Sequence, residues 1–88
     1  MGKSYVAGTL ESSDCLITLS PADKLKIEID TVVHEAFYDH IKTLIEKTLA
    51  EESLENVRLR CQDQGALDYT IKARLKTAIL KYKESEDG

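Results

Sequence analysis

Apolar and polar residues alternate along the first third of the chain, and then the period changes. Val6, Gly8 and Leu10 share one parity, and Tyr5, Ala7 and Thr9 share the other. Glu11-Ser12-Ser13-Asp14 carries turn chemistry, after which Cys15, Ile17 and Leu19 alternate with Leu16, Thr18 and Ser20. A second break at Ser20-Pro21-Ala22-Asp23 precedes Leu25, Ile27 and Ile29, interleaved with Lys26, Glu28 and Asp30. A period of two is the strand signal. Pairing Glu11 with Asp14 sets Leu10 against Cys15, Gly8 against Ile17 and Val6 against Leu19. Leu19 against Leu25 and Ile17 against Ile27 extend the same logic to the third segment. Cross-strand partners share a face, so the pattern predicts a three-stranded antiparallel meander.

From Val33 the spacing becomes three and four: Val33, Phe37, Ile41, Leu44, Ile45 and Leu49. This predicts an amphipathic helix over 32–51, with Thr31 as N-cap and His34 where a capping-box acid would stand. Alternation returns over 56–63, with Val57, Leu59 and Cys61 inward and Arg58, Arg60 and Gln62 outward. Gly65 interrupts it. Leu67, Ile71, Leu75, Ala78, Ile79 and Tyr82 then mark a second helix, followed by a charged tail over 83–88 that is expected to fray. The order is β-β-β-α-β-α. The expected fold is an α+β two-layer sandwich, a four-stranded mixed sheet with both helices on one face. Residues 1–88 are expected to form a single domain.

Twelve basic residues against sixteen acidic ones give a formal charge of -4. That balance argues against a free-standing nucleic-acid binder. No apolar run approaches the ~20 residues that cross a bilayer, and no secretory leader is evident. Two cysteines are too few for a disulfide framework. The expectation is a soluble cytoplasmic domain with reduced thiols and neither a membrane nor a nucleic-acid partner.

Catalytic motifs are absent from the sequence. His34 and His40 are six residues apart and do not share a helical face, so they make no i, i+4 metal pair. Cys15 and Cys61 fall on inward strand positions and read as core thiols. No metal site is expected. The segment that stands out is the tip Glu11-Ser12-Ser13-Asp14, which presents two hydroxyls where Asn-Gly or Asp-Gly would be usual. With short connections, the ends of the first, third and fourth strands share one edge with Ser12, and both helices begin there. The free N–H groups of 32–34 and 66–68 would then face an anion, and Thr31, His34 and Gly65 are the candidate contacts at that phosphate-binding edge. The opposite sheet face, with Tyr5, Ala7, Thr9, Leu16, Thr18, Arg58 and Arg60, is a candidate docking surface.

Val6-Ala7-Gly8-Thr9-Leu10-Glu11-Ser12 resembles the N-terminal motif of the acyl carrier (gamma) subunits of bacterial citrate lyase. Asp63-Gln64-Gly65-Ala66-Leu67-Asp68 and Ala73-Arg74-Leu75 resemble that family's D-x-G-A-L-D and A-R-L segments, and the likeness spans about 5–80. By position in the motif, the resemblance makes Ser12 the attachment point of a 2'-(5''-phosphoribosyl)-3'-dephospho-CoA prosthetic group. The family commonly has Gly after that serine, where this sequence has Ser13. The resemblance further implies a subunit with no catalysis of its own. Its prosthetic thiol would carry acetyl and citryl thioesters between a transferase (alpha) and a lyase (beta) subunit, after a separate prosthetic-group transferase has installed it. The alternatives are the carrier of a related complex, citramalate lyase or malonate decarboxylase, or a small α+β interaction module with no prosthetic group.

Overall fold

The computed structural model describes residues 3–32 and 35–87. Its elements are β1 (Tyr5–Gly8), β2 (Cys15–Pro21), β3 (Lys26–Thr31), a 3-10 turn (Glu35–Phe37), α1 (Tyr38–Glu51), β4 (Val57–Asp63) and α2 (Asp68–Asp87). The four strands form one mixed sheet, and both helices pack on one of its faces. This is the α+β architecture and element order that the hydrophobic pattern implies.

The strand order is β1-β2-β4-β3, so the expected meander does not form. β4 inserts between β2 and β3, antiparallel to β2 and parallel to β3. The physical reason lies in how much each strand can bury. In β4 the residues Val57, Leu59 and Cys61 are fully buried, which requires neighbours on both sides. In β3, Ile27 and Ile29 are only partly covered while Lys26 and Asp30 are exposed, the composition of an edge strand. The β3-α1-β4 crossover supplies the parallel pair. The β2–β3 connection passes over the start of β4, where the Ala22 N–H donates to the Asn56 carbonyl at 3.0 Å.

The β1–β2 register is one residue away from the expected one: Tyr5 faces Leu19, Ala7 faces Ile17 and Gly8 faces Leu16. The turn closes through the Asp14 N–H on the Glu11 carbonyl at 3.1 Å, yet the next bond is Thr9 N–H to the Cys15 carbonyl at 3.2 Å. Leu10 is therefore an extra residue on the β1 side, the geometry of a bulge. A one-residue slip exchanges the faces of a strand. Ala7 becomes core, Val6 turns outward, and Tyr5 meets Tyr82 of α2 edge-to-face with ring centroids 5.6 Å apart. Tyr5, Ala7 and Thr9, whose hydroxyl bonds Asp14, thus leave the proposed outer surface. That surface instead carries Val6, Leu16, Thr18, Arg58 and Arg60, and the arginines are paired with Glu28 at 2.6 Å and Asp30 at 3.0 Å.

The core is one cluster of Ala7, Cys15, Ile17, Leu19, Val57, Leu59 and Cys61 from the sheet and Ile41, Ile45, Leu49, Ile71, Leu75, Ala78 and Ile79 from the helices. Both cysteines are free and buried. A hydrogen bond with Cys15, together with burial, holds the Cys61 thiol above its usual range.

Two expected boundaries shift. Thr31 is the last residue of β3 and no N-cap; α1 begins at Tyr38, with Phe37 preceding it and no side-chain cap. Val33 and His34 lie outside the described residues. α2 continues to Asp87, through most of the 83–88 tail that its charge predicts to fray. Lys83 bonds Glu52 at 2.8 Å, and the Tyr5 hydroxyl donates to Glu86 at 3.0 Å.

Candidate functional site

Since β1, β3 and β4 run parallel to one another, their C-terminal ends share one end of the sheet. The Ser12 turn lies there, stitched to the loop that follows β4. The Ser13 N–H donates to the Gln64 carbonyl at 2.8 Å, and the Gln64 N–H donates to the Asp14 carbonyl at 2.9 Å. Ser12 and Ser13 are both exposed. Ser13 has φ 65, the left-handed region that disfavours a side chain. The turn thus presents the Ser12 hydroxyl to solvent while its own backbone is held in place on both sides.

Asp14 anchors this turn. Its Oδ1 accepts the Cys15 N–H at 2.7 Å and Arg74 Nε at 3.0 Å; its Oδ2 accepts the Thr9 hydroxyl at 2.7 Å and Arg74 Nη2 at 2.9 Å. The Arg74 guanidinium, then the Thr9 hydroxyl and the Cys15 N–H, hold the Asp14 carboxyl well below the usual carboxylate range. Two parallel bonds of this kind are the strong form of an ion pair. Gly8 makes the arrangement possible. It has φ +100, a Cβ there would overlap the Cys15 carbonyl oxygen, and the Arg74 stem packs within 3.3 Å of the same spot.

In the sequence Asp14 is only the last residue of the Glu11–Asp14 turn; in the structure it is buried, and Arg74 neutralises it from α2. The available signal was position. Arg74 lies three residues after Ile71 and four before Ala78, the spacing that shares a helical face with the apolar stripe of α2.

Asp63, the last residue of β4 and the first of the Asp63–Asp68 motif, is the second buried carboxylate of this end. It accepts the Thr31 hydroxyl at 2.8 Å on Oδ2 and the Ala66 N–H at 2.9 Å on Oδ1. Its carbonyl accepts the Val32 N–H at 3.2 Å. Two N–H groups expected to face an anion are therefore already engaged, and the helix-terminus account of the edge does not hold in its original form. Thr31 and Gly65 lie at the Ser12 end, as that account placed them. Gly65 has φ +90 with open space around it. No group of three or more His, Cys, Asp or Glu gathers among the described residues in a way that could hold a metal. No helix of the described residues is long and apolar enough to cross a membrane.

Beside this end the first turns of the two helices converge. His40 of α1 meets Asp68 of α2 at 2.7 Å, and a pocket of about 450 Å³ opens between the helices.

Comparison with known proteins gives consistent results. A family model described as ACP, malonate decarboxylase delta subunit (MdcD), matches residues 2–82. The citrate lyase acyl carrier protein of Halothermothrix orenii is 46% identical over 74 residues, covering 83% of this chain and 79% of the relative. That of Treponema denticola is 40% identical over 82 residues, covering 93% and 94%. That of Lacticaseibacillus casei is 46% identical over 81 residues, covering 91% and 80%.

Proposed function

The chain belongs to the family of citrate lyase acyl carrier proteins, and from that premise we propose that Ser12 is its point of modification, bearing the phosphoribosyl-dephospho-coenzyme A group through a phosphodiester. An acyl carrier of citrate lyase works within a complex with other citrate lyase subunits. In this reading those partners are a transferase and a lyase subunit in the cytoplasm, and a separate enzyme installs the group. When bound, the group supplies a thiol that holds acyl groups as thioesters.

The observation that carries the assignment is the state of the turn. A hydroxyl on which another enzyme must form a phosphodiester has to be exposed, and it has to tolerate a negative charge beside it. Ser12 is exposed, and the nearest buried carboxylate is already neutralised by the two-pronged Arg74 contact. Without Arg74, the Asp14 charge would oppose a phosphodiester two residues away. The chemistry at the turn therefore fits the group. Gly65, next to the Gln64 that pairs with Ser13 and Asp14, is the neighbour that would meet its phosphate first; Thr31 ends β3, at the opposite edge of the sheet from β1.

The chain's own contribution is position. The turn is pinned to the β4–α2 loop and to α2, so the tether has a fixed root from which its free end searches a limited volume. A fixed root raises the effective concentration of the carried group at two active sites without any new contact.

Co-expression with the modifying enzymes, followed by intact mass, tests the assignment. Wild type and Ser13→Ala should gain the adduct, and Ser12→Ala should not. Loading of Ser12→Ala, or loss in Ser13→Ala alone, moves the site to Ser13. An unmodified wild-type chain under those conditions supports an interaction module instead. The description of the matching family model keeps a malonate decarboxylase carrier as the second reading. Co-purification with citrate lyase subunits separates the two.

A further inference from the structure

The first turns of α1 and α2 meet through His40 and Asp68, and the gap left beside that contact has a defined chemistry. Ile41 and Ile71 form buried floor positions of the 450 Å³ pocket. Phe37 and Leu67 line it while remaining 55% and 59% exposed. His40 and Asp68 also line it, joined at 2.7 Å. A concavity of this size, apolar with a small number of polar groups, is the general form of a small-molecule site.

We propose that this pocket receives the acyl-pantetheine end of the arm carried on Ser12 and shelters it between visits to partner subunits. The proposal rests on the reading of Ser12 given above. Proximity supports it. Gln64, which exchanges hydrogen bonds with Ser13 and Asp14, belongs to the same short loop as Ala66 and Leu67 of the pocket wall. The molecule is only 22 Å across in its short dimensions, so a tether of nucleotide length spans from the turn to the pocket.

Charge selects which part of the arm enters. Asp63 and Asp68 line the pocket, and Glu35 of the 3-10 turn and Asp39 of the first turn of α1 are chain neighbours of its lining residues Ala36 and His40. Phosphates are disfavoured among these carboxylates. The pantetheine end is uncharged: its methyl and methylene groups match Phe37, Leu67 and the isoleucines, and its amides suit the His40–Asp68 pair. The same carboxylates disfavour an acyl group that carries its own carboxylate. The pocket therefore retains a short neutral acyl group and leaves a polycarboxylate one in solvent, free for transfer.

The test uses amide chemical shifts of the whole chain. S-acetylpantetheine added to the unmodified protein should shift Phe37, His40, Leu67 and Ile71. S-succinylpantetheine should bind there roughly tenfold more weakly, the effect of one adverse charge contact. Acetylated modified protein should show the same shifts without added ligand. Leu67→Gln and Phe37→Ser, both at exposed positions where the fold tolerates change, should each lose them. Shifts that are absent, that map elsewhere, or that survive both substitutions overturn the proposal. Equal binding of the succinyl probe overturns the charge selection. If the pocket instead shifts only when a larger subunit is added, it is a protein-docking groove and the proposal falls. Intact mass reports loading separately: a missing adduct defeats the Ser12 assignment, while the free-probe titration still judges the pocket.

Discussion

Arg74 of α2 grips Asp14 of the β1–β2 turn with two nearly equal bonds, Nε to Oδ1 at 3.0 Å and Nη2 to Oδ2 at 2.9 Å, across sixty positions of sequence. This pair ties the second helix to the turn that carries Ser12. It consumes both carboxylate oxygens together with the Thr9 hydroxyl and the Cys15 N–H.

Arg74→Lys keeps the charge but loses the planar fork, so only one oxygen is gripped at a time. The urea midpoint should fall with little change in slope. Amide exchange at Ser13 and Gln64 should quicken more than at β4. Unchanged exchange in the turn would show that the pair is not what holds it.

Acid should weaken the same contact. The folded-state carboxyl of Asp14 is depressed below its ordinary value of 3.8. Its contribution is thus complete above that value and is lost as pH falls below it toward the folded value. Glu28 and Glu52 are also lowered, by Arg58 and Lys83 respectively. The informative quantity is therefore the stability difference between wild type and Asp14→Asn. That difference should be constant from pH 7 to about 5 and shrink below pH 4. A difference that stays flat to pH 2 would contradict the depressed carboxyl.

Ser13 occupies φ 65 with a side chain that the left-handed region disfavours. Ser13→Gly should stabilise the fold by about 1 kcal/mol, after allowing for the extra entropy of glycine in the unfolded chain. At this chain length that is a rise of roughly 4–8 °C in Tm. Calorimetry of the two proteins decides it, and a fall in Tm would show that the Ser13 hydroxyl contributes more than the backbone strain costs.

Gly8 has no room for a Cβ against the Cys15 carbonyl, and its φ is +100. Gly8→Ala should destabilise by at least about 2 kcal/mol through strain and displacement of the hairpin. It should also slow loading of Ser12, since the turn would no longer be held in one arrangement. Chemical denaturation and the rate of adduct formation read the two effects separately.

The sequence by itself determined the element types and which faces of β2, β4, α1 and α2 are buried. Ile17 and Leu19, Leu59 and Cys61, Ile45 and Leu49, Leu75 and Ile79 occupy the inward positions that their periodicity demands, because burial of an apolar face is a local property of spacing. The motif around Ser12 was legible for the same reason, as a short run of residues. Tertiary structure decided the rest. The bulge at Leu10, and with it the inward turn of Ala7 and Tyr5, depends on Thr9 bonding Asp14 and on Arg74 arriving from α2. The central place of β4 depends on β3 having too little apolar surface to sit inside, a comparison between strands that no single segment contains. Asp14 and Asp63 look like ordinary turn and strand-end carboxylates in the sequence. They are buried because partners distant along the chain satisfy them, Arg74 in one case and Thr31 in the other, and pairings at such separations leave no periodic trace.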